Sequence, residues 1–417
     1  MCPKRIAAAG TAPLVVLVVF VGIAAAGALA PMEQLGKSIF FDQDLSIHKN
    51  QSCAACHAPE VGWTGPDGPI NAHGSVYEGS IPGRFGDRKP PASAYATFSP
   101  ILHFDKGLWV GGNFWDGRAT GERLGNPAAD QAQGPFLNPA EQALPDSACV
   151  VYQVCTAMYP VSFEDVWGAD TCDIAWPGNV ETTCATEGGF VGLSADDRAK
   201  SHADYDRIAL SIADYEASFE VSPFTSEFDE ARFDGMATMS KQARKGFALF
   251  QGKGKCKNCH TSNGDWPLFT DYTYDNLGLP KNPENPVYIR DPGFVDEGLG
   301  GYLRAAGYPS EVWAAERGKV KVPTLRNVAK APNPLLVKAF GHNGYFKSLK
   351  SIIHFYNTRD VKPACPGDYT EAQALAANCW PPPEVPENVN TSELGDLGLT
   401  SAEEDAIVEF LQALSDR

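Results

Sequence analysis

Two short segments carry the sharpest chemistry in the chain: Cys53-Ala54-Ala55-Cys56-His57 and Cys256-Lys257-Asn258-Cys259-His260. Cys-x-x-Cys-His is the attachment signal for a c-type haem. Two thiols add to the two vinyl groups of the porphyrin, and the short turn sets the following imidazole beneath the iron. A redox dithiol or a zinc ribbon also uses Cys-x-x-Cys, but neither needs His directly after each pair. Two copies read as two covalently bound haems, ligated from below by His57 and His260.

What stands above each iron decides the function. A closed sixth position suits electron transfer; an open or displaceable one suits peroxide chemistry. Beyond the first thirty residues, methionine occurs only as Met32, Met158, Met236 and Met239. Small cytochrome c domains take their Met ligand from after the haem motif. The second motif therefore cannot form a His/Met site from its own downstream chain. Its downstream imidazoles and phenols include His342, His354, Tyr345 and Tyr356. A haem without Met has the lower potential. Met236 and Met239 precede the motif and read as packing residues.

The elements that must position these motifs repeat with them. Gly36-Lys-Ser-Ile-Phe40-Phe41 precedes the first and Gly246-Phe-Ala-Leu-Phe250 the second. Each is a short amphipathic segment with a glycine and an aromatic at matching offset. Ser240 is placed to cap the second, with Ala243, Phe247 and Phe250 on one face. After each motif an amphipathic helix returns. One spans His202 to Phe219, with Ile208, Ile212 and Tyr215 in phase. The other spans Ala402 to Leu414 and opens on Ser401-x-x-Glu404, a capping box. Helix, haem loop and returning helix describe a small cytochrome c domain. The expected fold is mainly α, with one such domain over 31–225, a second over 226–417, and a join near Val221 to Arg232. A loop-rich, Cys-containing insertion over about 145–200 interrupts the first.

Six further cysteines follow the leader: Cys149, Cys155, Cys172, Cys184, Cys365 and Cys379. In an exported chain they suggest up to three disulfides. The first four lie in one stretch and are free to pair among themselves. Cys365 and Cys379 bracket a Pro-rich loop and are expected to pair with each other. Export is indicated by residues 1–30, where Lys4 and Arg5 precede an apolar run from Leu14 to Ile23 and then small residues through Ala30. An uncleaved anchor is the alternative, since the uncharged span is nearly membrane length.

The length of 417 residues suits two or three domains. The formal charge of −17, from 51 acidic against 34 basic residues, argues against nucleic acid as a partner. It would steer a basic protein by long-range attraction. No phosphate loop, serine-nucleophile elbow or dinucleotide fingerprint competes with the haem motifs.

The chain resembles the bacterial dihaem cytochrome c peroxidases and the related MauG enzymes, which oxidise tryptophans of a partner protein. The matching segments run in order. Leu35-Gly-Lys-Ser-Ile-Phe-Phe-Asp42 with Leu45-Ser46 comes first, then Phe114-Trp-Asp-Gly-Arg118 and Gln131-Ala-Gln-Gly-Pro-Phe-Leu-Asn-Pro-Ala-Glu141 between the haem motifs. Val322-Pro-Thr-Leu-Arg-Asn-Val328, His342-Asn-Gly-Tyr-Phe and His354-Phe-Tyr-Asn357 follow. The likeness covers most of residues 33–357 and the C-terminal helix, but not the Cys-rich stretch.

The resemblance implies roles residue by residue. The N-terminal haem would be the peroxide site, with Gln131 holding peroxide or water and Glu141 shuttling the proton that O–O cleavage needs. Trp115 matches the tryptophan that lies between the haems. Arg118 and Arg326 are expected to pair with haem propionates or buried carboxylates. Tyr356, fourteen residues after His342, stands where the peroxidases carry the Met ligand and MauG a Tyr. His73, sixteen residues after His57, stands where the peroxidases carry a displaceable ligand; the alternative is a polar loop residue. The family's interhaem calcium is disfavoured. Lys89 stands at its Asn ligand, and an ammonium repels the ion.

The first expected function is an exported, periplasmic peroxidase, reducing hydrogen peroxide with electrons from a small cytochrome c or cupredoxin. The second is a MauG-like oxidase acting on a protein substrate, although Gly254 stands where MauG has its exit tryptophan. A third, of another class, is a dihaem electron carrier without peroxide chemistry. The resemblance also admits a homodimer.

Overall fold

The computed structural model describes residues 27–417. The expected export leader lies outside the described residues apart from its last four. Among the described residues, no helix is long and apolar enough to cross a membrane.

Each Cys-x-x-Cys-His segment follows a short helix that crosses a later one. Helix α1 (Pro31–Phe41) leads to the first motif, and the long α3 (Ala195–Ala217) returns across it. Between them in the chain, α2 (Pro127–Leu137) also packs on α3. In the second half α4 (Lys241–Gln251) leads to the motif and α6 (Ser401–Gln412) returns, with α5 (Leu349–Thr358) beside it.

The two crossings share one device. A Cβ on Gly36 would run into the Ser211 carbonyl and reach 2.9 Å from Tyr215 Cβ. A Cβ on Gly246 would run into the Ala406 carbonyl and reach 2.9 Å from Phe410 Cβ. Each glycine thus lets two helix backbones touch, and the aromatic four residues on closes over the contact. Around the first crossing lie Leu35, Ile39, Phe40, Phe136, Ile208, Ile212 and Tyr215. Around the second lie Phe228, Phe250, Phe269, Ile407, Phe410 and Leu411.

The helix starts follow local hydrogen-bond chemistry. Ser240 caps α4 by accepting the Ala243 N–H, as its position predicts. The long helix begins at Ala195 rather than His202, because Ser194 accepts from Asp197 N–H a full turn and more earlier. The box at α6 lies one residue before the expected one. Thr400 accepts from the Glu403 N–H, and Glu403 Oε2 takes the Thr400 N–H at 2.8 Å. Glu404 is turned inward instead, onto Asn357 at 2.7 Å and His354 at 2.9 Å.

The stretch over 145–200 alternates loops with short helices. It forms helices Ser147–Thr156, Phe163–Trp167 and Val180–Cys184, and the start of α3. Val150, Val151, Val154 and Phe163 are buried in the same core as α1 and α3. Cys149 pairs with Cys184 and Cys155 with Cys172, so the four do pair among themselves. Cys365 pairs with Cys379 as expected, but the closed segment holds the helix Glu371–Ala377, not a Pro-rich loop. Strands are few: His103–Asp105 with Leu108–Val110, and Tyr274–Asp275 with Val320–Lys321.

The join between the halves contains the short capped helix Glu227–Ala231, whose Phe228 N–H reaches the Ala413 carbonyl at 3.0 Å. Gly246→Ala should destabilise the protein by about 2–3 kcal/mol through forced separation of α4 and α6. A urea midpoint unchanged from wild type would refute this account of the crossing.

Candidate functional site

Both haem motifs fold as one 3₁₀ turn, Cys53–Ala55 and Cys256–Asn258. The histidine after each turn donates its backbone N–H to the carbonyl of the first cysteine, at 3.0 Å for His57 and 2.9 Å for His260. Each imidazole is then oriented from its Nδ1. That atom lies 3.3 Å from the Trp63 carbonyl in His57 and 2.7 Å from the Phe269 carbonyl in His260. A carbonyl only accepts, so Nδ1 carries the proton and Nε2 keeps the lone pair that a metal needs. Burial lowers the basicity of both rings, His57 to about 4, which keeps them in the neutral, ligating form. Trp63 and Phe269 share a further feature: both hold the left-handed backbone, with φ of 62° and 54°.

The first motif opens on a cavity of about 930 Å³, lined by Cys53, Cys56 and His57 and by Gln131, Glu141 and Arg118. Gln131 comes from α2, which Asn126 caps through the Ala128 N–H. Its amide makes no hydrogen bond to the protein among the described residues, so it is free to serve a ligand. The loop carrying Glu141 is held at several points. Ser80 N–H donates to the Glu141 carbonyl at 2.6 Å, and Gly79 leaves room for the Ala140 carbonyl. The Asn138 amide donates to Glu141 Oε1 at 2.7 Å. Burial raises the Glu141 carboxyl above its ordinary range, with the Arg118 charge opposing. Arg118 itself stacks on Phe114 and pairs with Asp116 at 2.9 Å.

Trp115 lines both this cavity and the one around the second motif. Its indole N–H donates to the Lys89 carbonyl at 2.8 Å, and its own carbonyl receives Lys321 N–H at 2.8 Å. The adjacent Asp116 takes Arg88 at 2.6 Å, and Arg88 also grips Asp296 at 2.6 Å. The residue between the cavities is therefore held from both halves of the chain, its indole by Lys89 and its carbonyl by Lys321.

The second cavity is a narrower, largely apolar slot of about 220 Å³ lined by Cys256, Cys259 and His260. Tyr356 reaches it from α5. Burial pushes the phenol up from its usual value, with the neighbouring cysteines and Asp275 adding to the effect. His354, two residues earlier, faces away, with Nδ1 on Glu404. Arg326 lines the slot but is engaged by a buried carboxylate, Asp229, through two bonds of 2.8 Å.

His73 is the one expected site residue that the structure does not bring to the cavities. It lies exposed, with Nδ1 on Glu284 at 2.8 Å and its carbonyl taking Lys347 at 2.5 Å. It does not line the cavity around His57. Lys89 sends its ammonium to Thr64 Oγ1 and the Pro90 carbonyl, both at 2.9 Å.

Sequence reasoning missed three buried groups. Lys338 places its ammonium among the carbonyls of Val61, Asn327 and Lys330, and burial lowers it to about 7. Lys321 reaches Ser99, Gly112 and Asn113 across the seam, and is also lowered to about 7. Glu216 lines the first cavity, is 3% exposed, and leaves Oε2 without a partner. Burial raises its carboxyl to about 8. Its signal was an acid four residues after Ile212, on the buried stripe of α3.

The residues present fit two c-type haems. Cys53, Cys56, Cys256 and Cys259 are the cysteines outside disulfides among the described residues, and all face the two cavities. Each pair comes with a buried imidazole oriented by a backbone carbonyl at Nδ1.

A model of the di-haem cytochrome c peroxidase family matches residues 30–238. The chain is 32% identical to the methylamine utilization protein MauG of Paracoccus denitrificans, over 97% of this chain and 94% of that protein. It is 27% identical to the cytochrome-c peroxidase IdrP1 of Denitromonas iodatirespirans, over 91% of this chain and 80% of that one. Among solved structures, the diheme peroxidase BthA of Burkholderia thailandensis superposes with a TM-score of 0.68 at 27% identity, covering 94% of this chain and 88% of that one.

The exported holoprotein, denatured in acid, should retain the mass of two haems. Replacing Cys53 and Cys56 together by Ala should leave one. Loss of both haems from wild type on denaturation would show that the thiols do not hold them.

Proposed function

The chain belongs to the di-haem cytochrome c peroxidase family and is an oxidoreductase acting on peroxide, and from that premise we propose a division of labour between its two cavities. The N-terminal one, around His57, receives hydrogen peroxide. The C-terminal one, around His260 and Tyr356, takes and stores electrons. Each lies in its own cytochrome c domain. The observation that carries this reading is the convergence of Gln131 and Glu141 on the His57 cavity, with Trp115 lining that cavity and the next.

Bound haem supplies the redox-active iron, with which His57 and His260 are placed to ligate. The side chains supply the rest. Gln131 offers a free amide to orient peroxide or the water that replaces it. Glu141 holds Asn138 with Oε1 and keeps Oε2 for proton transfer. Burial raises this carboxyl above its ordinary range, so it holds a proton more readily than an exposed one, as a group that must both take and give one needs. Two electrons and two protons turn one peroxide into two waters. A small exported cytochrome or copper protein is the electron source, and the acidic chain favours a basic one.

A second reading has its own support. Tyr356 in the C-terminal slot and His73 outside the N-terminal cavity both suit an enzyme that oxidises aromatic residues of a partner protein. A phenolate ligand favours ferric and higher iron states. Tyr356→Met should raise the potential of the C-terminal haem, as spectroelectrochemistry would read; an unchanged potential would remove Tyr356 from the ligand set.

Glu141→Gln should lower peroxide turnover by about 10²-fold or more with both haem spectra intact. Unchanged turnover would refute the catalytic role. Stopped-flow mixing of fully oxidised protein with peroxide separates the two readings. A fast optical change favours the partner-oxidising one; reaction only after one-electron reduction favours the donor-driven peroxidase.

A further inference from the structure

Electrons from a protein partner must cross from the surface to the buried sites, and Gly254 removes the aromatic position just before the second haem motif. The structure contains another continuous aromatic route. Tyr95 is buried and lines the space beside His57 and Trp115. Its ring lies 4.8 Å from that of Phe224, and Phe224 lies 5.5 Å from Trp266. Trp266 is 50% exposed, and its outer neighbour Phe233 is 81% exposed at 6.3 Å. Three rings in contact thus span from the edge of the N-terminal site to solvent.

Tyr95 is also equipped to lose an electron. Its hydroxyl donates to Asp416 Oδ2 at 2.6 Å. Asp416 is held in place by the Thr225 N–H at 2.9 Å and the Asn327 amide at 2.8 Å. A buried phenol is hard to oxidise if its proton has nowhere to go, and a fixed carboxylate acceptor removes that barrier. Arg326 stacks on Tyr95 and Phe224, but its charge is answered by the bidentate Asp229.

We propose that Tyr95 and Trp266 form a second electron path into the N-terminal site, beside the C-terminal store, with Asp416 as the proton acceptor for Tyr95 and Trp266 as the surface port. The proposal rests on the peroxide reading above, which supplies the oxidant. Tyr95 gives one electron to the peroxide-oxidised site. Its O–H bond breaks, and the proton forms an O–H bond on Asp416. Trp266 then returns one electron across Phe224, and the proton goes back from Asp416 to the tyrosine oxygen. The one-electron hole left on Trp266 is filled by the partner protein. The second electron that peroxide requires comes from the C-terminal site.

The test uses the dihaem holoprotein mixed with one equivalent of peroxide and no partner. Samples are frozen for electron paramagnetic resonance, and parallel samples are digested for mass analysis. In wild type, ring-deuterated tyrosine should narrow the radical signal, and oxygen addition should concentrate at Trp266. Tyr95→Phe and, independently, Asp416→Asn should abolish oxygen addition at Trp266. Trp266→Phe should leave a longer-lived tyrosyl signal. Oxygen addition at Trp266 that survives Tyr95→Phe would overturn the path, as would an unmodified Trp266 in wild type whose haem spectrum responds to peroxide. A wild-type spectrum that does not respond at all would overturn the peroxide reading, and the path with it.

Discussion

Everything at the two sites depends on one hydrogen bond repeated twice, from a histidine Nδ1–H to a backbone carbonyl. It fixes the tautomer, aims Nε2 at the cavity, and sets the plane of the ring. The carbonyl is offered by a non-glycine residue in the left-handed region, Trp63 or Phe269, a conformation that costs on the order of 1–3 kcal/mol. Aromatic packing holds each residue there. Trp63 lies edge-on to Phe40 and Tyr215, and Phe269 lies among Phe228, Phe250 and Phe410. Phe40 and Phe250 come from the helices that enter each motif, while Tyr215 and Phe410 come from the helices that return. The glycine crossings, the aromatic cores and the ligand geometry are therefore one construction.

The seam between the halves is built differently, from charge. Arg88 sits between Asp116 and Asp296. Lys321 and Lys338 each send an ammonium into oxygen cages drawn partly or wholly from the other half. Buried lysines without a carboxylate partner are costly, as their lowered basicity records. Here the compensation comes from backbone and side-chain oxygens.

Much of this was legible because it rests on short, local rules. The haem motifs, the glycine–aromatic offset, the Ser240 cap and the Cys365–Cys379 pair each follow from spacing. Two adjacent boxes, Thr400-x-x-Glu403 and Ser401-x-x-Glu404, satisfy the same pattern, and only the buried partners of Glu404 decide between them. The Cys-rich stretch reads as loop by composition, yet Val150, Val151 and Val154 complete a core whose other walls lie elsewhere in the chain. Lys321, Lys338 and Glu216 were out of reach for a different reason. Charged residues are expected outside, and their burial depends on oxygens or space that no neighbouring residue announces. His73 shows the limit of spacing alone: its distance from His57 matches, but its imidazole turns to Glu284.

The pairing of Tyr95 with Asp416 spans 321 positions of sequence. Such a contact cannot close before residue 416 is in place. The core around α1 and α3 draws its buried members from residues 35–221. Tyr95, lodged at its edge, accepts from the Phe224 N–H but has no acceptor for its own proton until the segment after the last helix brings Asp416. The strut that locks Tyr95 is therefore a contact between the two halves, so the edge of the first core is completed only when the second half is folded against it.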